Sequence, residues 1–249
     1  MTPEAIVSPA LPVRHGFFTR RGGVSTGPFE SLNCSLSSAD APDAVRANRA
    51  AVRRSLGADH LLGLHQVHGA DVVTVEAPWA EGAGPRADAV VSNTPGIALG
   101  VITADCAPVL LADPQAGVIG AVHAGWRGAV AGVLEAAVAA MEALGAARAR
   151  IAAAIGPCIR QGSYEVRADL RDAVLARDPA HSRFFAEAQP GHWQFDLAGY
   201  CAERLCGLAS VAIVPADTAA EPARFFSHRR RTLGGGGPIG HQISAIVLA

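Results

Sequence analysis

The chain of 249 residues contains no lysine: all 21 of its basic residues are arginine. That absence excludes Schiff-base chemistry, pyridoxal phosphate anchoring and a Walker-type phosphate lysine. Any bound anion must be held by arginine, backbone amides or a metal. An excess of charge is missing too, since the net charge is −1, so nothing points to nucleic acid or to an anionic membrane as a partner. No run of about 18 uncharged apolar residues occurs, which argues against a transmembrane helix. The first residues lack the basic start and apolar run of a signal peptide. Methionine is scarce, with only Met141 beyond Met1. The five cysteines (Cys34, Cys106, Cys158, Cys201 and Cys206) are odd in number and irregularly spaced. This opposes a disulfide framework and favours a reducing compartment, so a cytoplasmic protein is expected.

What is present is a chain that is 50% apolar, enough to bury a sizeable core. Residues 13–38 read as a strand followed by an irregular glycine loop. Apolar spacing predicts a helix over 42–56, with Asp40 as N-cap and Gly57 as stop. Strands are expected at 64–75 and 87–92. A β-hairpin follows over 97–123, with its turn at Asp113-Pro114-Gln115-Ala116-Gly117. Gly125-Trp126-Arg127-Gly128 opens a helix running to about residue 144. Further on come a strand at 151–155, helices near 166–177 and 197–207, a strand at 211–214, and late strands at 225–228 and 243–248. A glycine loop separates the last two. No repeat and no linker divides the chain, so one domain over 1–249 is expected, α/β or α+β with a mixed sheet.

Chemistry concentrates around the hairpin. Folding its strands about Pro114 and Gln115 sets Cys106 opposite His123, on one side of the sheet, close enough to share a metal or a proton. Asp105, a carboxylate in an apolar run, needs a partner or a function. Leu64-His65-Gln66-Val67-His68-Gly69 adds two histidines that point to opposite sides of a strand, so one of them is expected to enter the site. Two imidazoles and one thiolate leave a fourth position open, the arrangement of a catalytic zinc. Beyond His123, Gly125, Arg127 and a helix N-terminus form a candidate anion site.

These segments resemble those of the laccase-domain proteins. The likeness runs through Leu64-His-Gln-Val-His-Gly-Ala-Asp71, Ala87-Asp-Ala-Val-Val91, Thr103-Ala-Asp-Cys-Ala-Pro-Val109 and Val122-His-Ala-Gly-Trp-Arg-Gly128. It continues in Ile155-Gly-Pro-Cys158, Tyr164-Glu-Val166, Phe195-Asp-Leu197 and Phe226-Ser-His-Arg-Arg230, covering nearly the whole chain. That family was first labelled multicopper polyphenol oxidase and later assigned purine nucleoside phosphorylase activity. The resemblance implies a single α/β domain with a mixed β-sheet core flanked by helices, similar to the catalytic domain of necrotizing toxins. It implies zinc on His68, Cys106 and His123. It also implies phosphorolysis of adenosine, inosine, guanosine and methylthioadenosine, plus deamination of adenosine. Purine nucleosides and phosphate are the expected partners; nothing in the sequence names a protein partner.

Cys106, His123 and Asp105 are the expected catalytic residues, Asp105 as proton shuttle. Gln66, Arg127, Gly125, His228 and Arg229 are the expected substrate-binding residues. One departure from the family pattern concerns Gly240-His241, which stands where Gly-Arg is usual, so any role of that arginine would pass to Arg229 or Arg230 or be lost. Two other chemistries fit less well. A copper polyphenol oxidase needs several His-x-His pairs, which are missing, and a blue-copper centre adds a methionine, for which only Met141 is available. A metal-free hydrolase editing cell-wall peptide precursors would use Cys106 as a nucleophile activated by His123.

Overall fold

Apolar strands that bury both faces need a cover on each side, and the chain meets that need by stacking two sheets between helices. The computed structural model describes residues 2–248; Met1 and Ala249, the ends of the expected domain, lie outside the described residues. The strands are β1 (Ala5–Ile6), β2 (Arg14–Phe18), β3 (His60–Leu62), β4 (Val72–Thr74), β5 (Ala89–Ser92), β6 (Ile97–Thr103) and β7 (Ala107–Asp113). They continue with β8 (Val118–Ala124), β9 (Ala152–Ile155), β10 (Glu165–Val166), β11 (Phe185–Gln189), β12 (His192–Phe195), β13 (Ser210–Ile213) and β14 (Gln242–Val247). The helices are α1 (Pro42–Ser55), α2 (Trp126–Ala131), α3 (Val133–Ala143), α4 (Ala168–Leu175), α5 (Leu197–Arg204) and α6 (His228–Leu233).

A five-stranded sheet has the order β1-β2-β14-β6-β3, and a six-stranded sheet the order β13-β9-β7-β8-β5-β4. Both are mixed: β3–β6, β13–β9 and β4–β5 are parallel pairs, and the remaining pairs are antiparallel. A small antiparallel sheet, β10-β12-β11, stands apart. The period-two alternation of strand side chains assigns each residue to a layer. Leu99, Val101, Leu110, Ile119 and Ile246 fill the space between the two large sheets. Val109, Leu111 and Val122 face the other way, against Leu134, Val138 and Met141 of α3 and Leu197 and Tyr200 of α5. Val52 of α1 and the adjoining Leu56 cover Phe18, Ile243 and Ala245 on the outer face of the five-stranded sheet. The result is α/β with mixed sheets flanked by helices.

Several local expectations are corrected. The apolar run 97–111 is not one strand. β6 belongs to the five-stranded sheet and β7 to the six-stranded one, so residues 104–106 cross from one sheet to the other. Asp105 takes a left-handed φ of 95° to make that turn. Buried strands carry apolar residues on both faces, so the run itself does not mark the break. Only Val72–Thr74 of the segment 64–75 is strand, and His68 lies in a loop with φ 60°. The helix expected to run from Gly128 to about 144 is two helices hinged at Gly132, whose φ is 103°. Residues 225–228 form no strand; Ser227 caps α6 by accepting from the Arg230 amide. Asp40 is not the cap of α1. It accepts from Ser25, Asn33 and the Ala41 amide, while Pro42 opens the helix after Ala41.

Asp113 ends β7 and fixes the β7–β8 hairpin. Its fully buried carboxylate accepts from the amides of Gln115, Ala116 and Ala147 and pairs with Arg150 at 2.9 Å. Burial alone would raise its pKa, but the amide and guanidinium donors outweigh burial and hold it below the ordinary carboxylate value. Asp113→Ala is expected to lose about 2–3 kcal/mol at neutral pH in denaturant unfolding, because several buried donors lose their acceptor. A depressed native pKa gives stability that is complete above about pH 4 and vanishes as pH falls through the native value, so the deficit of the variant shrinks in acid. An undiminished deficit at pH 3 would remove the electrostatic part of this account.

Candidate active site

The crossover from β6 to β7 places Cys106 where the two large sheets meet. His123 lies near the end of β8, and His68 comes in on the loop between β3 and β4. One ligating atom from each of the three lies within 4.8 Å of the others, with Cys106 Sγ 3.9 Å from His68 Nε2. The imidazoles meet edge to face at 4.8 Å between centroids. The hairpin register is two residues away from the expected one: His123 faces Pro108, and Cys106 lies beyond the paired strand. An even shift preserves the side of the sheet, so the two residues still converge.

A single carboxylate organises this group. Asp88, fully buried just before β5, accepts from His123 Nδ1 at 2.8 Å and from the amides of Val67, His68 and Gly69 at 2.7–3.2 Å. Because a carboxylate only accepts, His123 Nδ1 carries a proton, and Nε2 is the ring nitrogen turned toward the cluster. The three amide bonds also hold the left-handed turn of His68. Burial alone would raise the Asp88 pKa, yet its bonds to His123 and the loop amides leave it lowered. Burial likewise opposes the Cys106 thiolate, but His123 and His68 outweigh it and pull the thiol down. His123 is raised by the thiolate and by Asp88 against burial. Cysteine is therefore in the thiolate form that binds metals and attacks electrophiles.

The donor set fits zinc. Tetrahedral bonds of 2.0–2.3 Å to nitrogen and sulfur put neighbouring donors roughly 3.5 Å apart, against 3.9 Å between Cys106 Sγ and His68 Nε2. Gly125 makes that approach possible: a Cβ there would stand 2.8 Å from His68 Cδ2 and 3.2 Å from Cys106 Sγ. Gly128 plays the same part against the loop, since its Cβ would lie 2.7 Å from the Gly69 carbonyl. Gly125, expected to bind substrate, is thus packed beneath the ligands. α2, six residues long, serves to brace them.

The cluster opens on a cavity of about 780 Å³. Arg127, Arg229, His228, Gln66 and Asp105 all line it. Arg127 is exposed, stacks on Trp126 at 4.5 Å and makes no ion pair or hydrogen bond among the described residues. Arg229 lies over Tyr164 at 5.7 Å and donates to the Glu165 carbonyl. His228, exposed, opens α6 at the cavity edge. Arg230 turns away, donating to the carbonyls of Thr218, Ala219 and Phe225. His65, bridged to Arg86, stays outside the three-residue cluster though it lines the cavity.

Two expected roles change. Gln66 does not offer a free amide: its Oε1 accepts from the Ile102 amide and its Nε2 donates to the Ile102 carbonyl, both at 2.8 Å. Asp105 is a tie rather than a free shuttle. Its carboxylate accepts from Thr218 Oγ1 at 2.6 Å, Ser227 Oγ at 2.9 Å and the Arg229 amide at 2.6 Å, fastening α6 to the crossover. Sequence reasoning did not single out Asp88, although it carries the same signal as Asp105, a carboxylate entering an apolar strand. Thr103, Tyr164 and His241 also line the cavity, brought there by the fold alone.

Removing the Asp88 carboxylate is expected to weaken zinc binding about 10–100-fold, because it orients one ligand and holds the loop of another. Competition of Asp88→Asn against a chromophoric chelator measures this. Wild-type affinity in the variant would show that the contact is dispensable.

The sequence model of the family described as multi-copper polyphenol oxidoreductase laccase matches residues 14–249. A Streptomyces coelicolor protein named purine nucleoside phosphorylase is 49% identical over 225 residues, 88% of this chain and 91% of its own. One from Deinococcus radiodurans with the same name is 43% identical, over 90% of this chain and 86% of its own. Among solved structures, a Neisseria meningitidis protein of the DUF152 family superposes with TM-score 0.86 at 34% identity, covering 100% of this chain and 98% of that one. YlmD from Geobacillus stearothermophilus gives TM-score 0.88 at 30% identity, over 96% of this chain and 93% of its own. With sequence and fold in agreement, the chain belongs to this laccase-like family.

Proposed function

We propose that this chain is a zinc-dependent purine nucleoside phosphorylase that also deaminates adenosine. The observation that carries the reading is the His68–Cys106–His123 donor set opening on a cavity that Arg127 and Arg229 also line. The names of the Streptomyces and Deinococcus relatives support its phosphorylase part. His68, Cys106 and His123 would hold the metal, which when bound supplies Lewis acidity and activates water at neutral pH.

In phosphorolysis an oxygen of phosphate bonds to C1′ of the ribose while the bond from C1′ to the purine breaks. The electron pair leaves with the purine, which takes up a proton. The chain must hold a multiply charged anion beside a neutral nucleoside. Arg127 has a guanidinium stacked on Trp126 and unpaired among the described residues, and Arg229 is held by Tyr164 and the Glu165 carbonyl. Guanidinium groups fixed in place bind phosphate without first giving up mobility. Asp105 positions Arg229 through its backbone amide.

The donor set favours zinc over a multicopper centre. Among the described residues His68, Cys106 and His123 are the one group of three or more potential ligands, and Met141 is buried in the core beneath the six-stranded sheet. A trinuclear copper cluster needs more histidines than converge here.

Incubation with adenosine, with and without phosphate, is expected to give adenine only when phosphate is present and inosine in either case. His68→Ala, Cys106→Ala and His123→Ala should each lose zinc and both activities together, while His65→Ala keeps zinc. Full turnover by a metal-free variant would overturn the zinc reading. A metal-free wild type active on amides, with Cys106 alkylated stoichiometrically, would favour the cysteine hydrolase.

A further inference from the structure

Besides the arginines, the cavity is lined by polar groups of a different kind. β6 and β14 end side by side, Thr103 pairing with Gln242, and His241 directly precedes that residue. Both Thr103 and His241 line the cavity. Thr103 is 1% exposed, and its hydroxyl has no hydrogen-bond partner among the described residues. His241 is half-buried, and its Nδ1 is buried without a partner among them. Nearly all buried polar groups in native proteins are paired, and an unpaired one costs about 1–3 kcal/mol. Both residues line one cavity, and the unpartnered Thr103 hydroxyl calls for a ligand group there.

The identity of the orphaned atom fixes what His241 can offer. An unpaired acceptor is tolerated in a protein interior better than an unpaired N–H. The bare nitrogen is therefore Nδ1, and the proton sits on Nε2, which makes no hydrogen bond among the described residues. The ring is also neutral: burial first, then His123, His228 and Arg231, push its pKa down to about 4. His241 thus differs from His123 in the same cavity, whose Nδ1 donates to Asp88. Thr103 and His241 supply hydrogen bonds without charge of their own, whereas Arg127 and Arg229 supply charge.

We propose that His241 and Thr103 form a neutral subsite for the uncharged part of the ligand, His241 Nε2–H donating to an acceptor there. Phosphate goes to the arginines. The inference rests on the nucleoside-plus-phosphate reading and adds a division of labour to it. A neutral acceptor occurs on the purine edge, as a ring nitrogen or carbonyl, and on the sugar as a hydroxyl.

Calorimetric binding to the zinc-loaded protein tests the proposal, with inosine, hypoxanthine, 2′,3′-dideoxyinosine and inorganic phosphate as separate probes. His241→Phe keeps a ring but removes the donor, and Thr103→Val keeps the shape but removes the hydroxyl. Each is expected to weaken inosine binding about tenfold. His241→Asn and Thr103→Ser restore a polar group and should recover most of the loss. Phosphate affinity should stay within about twofold of wild type in all four, as no charge has changed at the arginines. Hypoxanthine binding that weakens with inosine places the subsite at the base. Hypoxanthine unaffected, with dideoxyinosine insensitive to the variants, places it at the sugar. Inosine binding unchanged in His241→Phe and Thr103→Val would overturn the subsite while leaving the enzyme reading intact. Parallel loss of inosine and phosphate would overturn the division of labour. Failure of the wild-type protein to bind inosine at all would sink the nucleoside reading itself.

Discussion

One buried carboxylate holds the centre of this protein together. Asp88 gives an oxygen to the His123 ring and shares both oxygens among three successive amides of the loop that carries His68. A fully buried aspartate would be costly if it stood alone. Surrounded by four donor groups it becomes a fixed point from which two ligands take their direction. Its bond to the imidazole also decides which ring nitrogen is free to bind a metal.

The rest of the site follows from where the chain changes sheets. β6 and β7 lie in different layers, so the short crossover between them emerges at the ends of both, and Cys106 rides on it. The crossover is pinned by Asp105, whose carboxylate gathers Thr218, Ser227 and the Arg229 amide. Gly125 and Gly128 let the next segment pack directly against the His68 loop, where a methyl group would collide. Rigid elements thus surround the thiolate on every side, and the open direction leads to the cavity. Its lining combines guanidinium groups held by aromatic faces with buried polar atoms that have no partner among the described residues.

Some of this was legible in the sequence, because turn chemistry and strand alternation are local. The Asp113–Gly117 turn sets β7 and β8 as a hairpin, and strand alternation brings Cys106 and His123 to one side even though the register differs by two. The His68 loop shows the limit of that logic. Parity along a strand leads to one histidine entering, but His68 lies in a loop and points inward because its amide and its neighbours bond Asp88. That contact spans 20 residues of sequence and leaves no periodic trace. The break at Asp105 was invisible for a related reason: both β6 and β7 are buried on two faces, so apolar residues run through the join. Helix α6 has arginines where a helix usually shows an apolar stripe, and its start depends on Ser227 as a cap. Thr103, Tyr164 and His241 converge only through tertiary packing.

The central claim, that Asp88 arranges His68, Cys106 and His123 to hold one zinc ion, is tested most directly by X-ray absorption on protein purified without added metal. One zinc per chain is expected, with a single sulfur scatterer at about 2.3 Å and two imidazole nitrogens at about 2.0–2.1 Å. A copper edge, or a metal environment of nitrogen and oxygen alone with no sulfur, would contradict it.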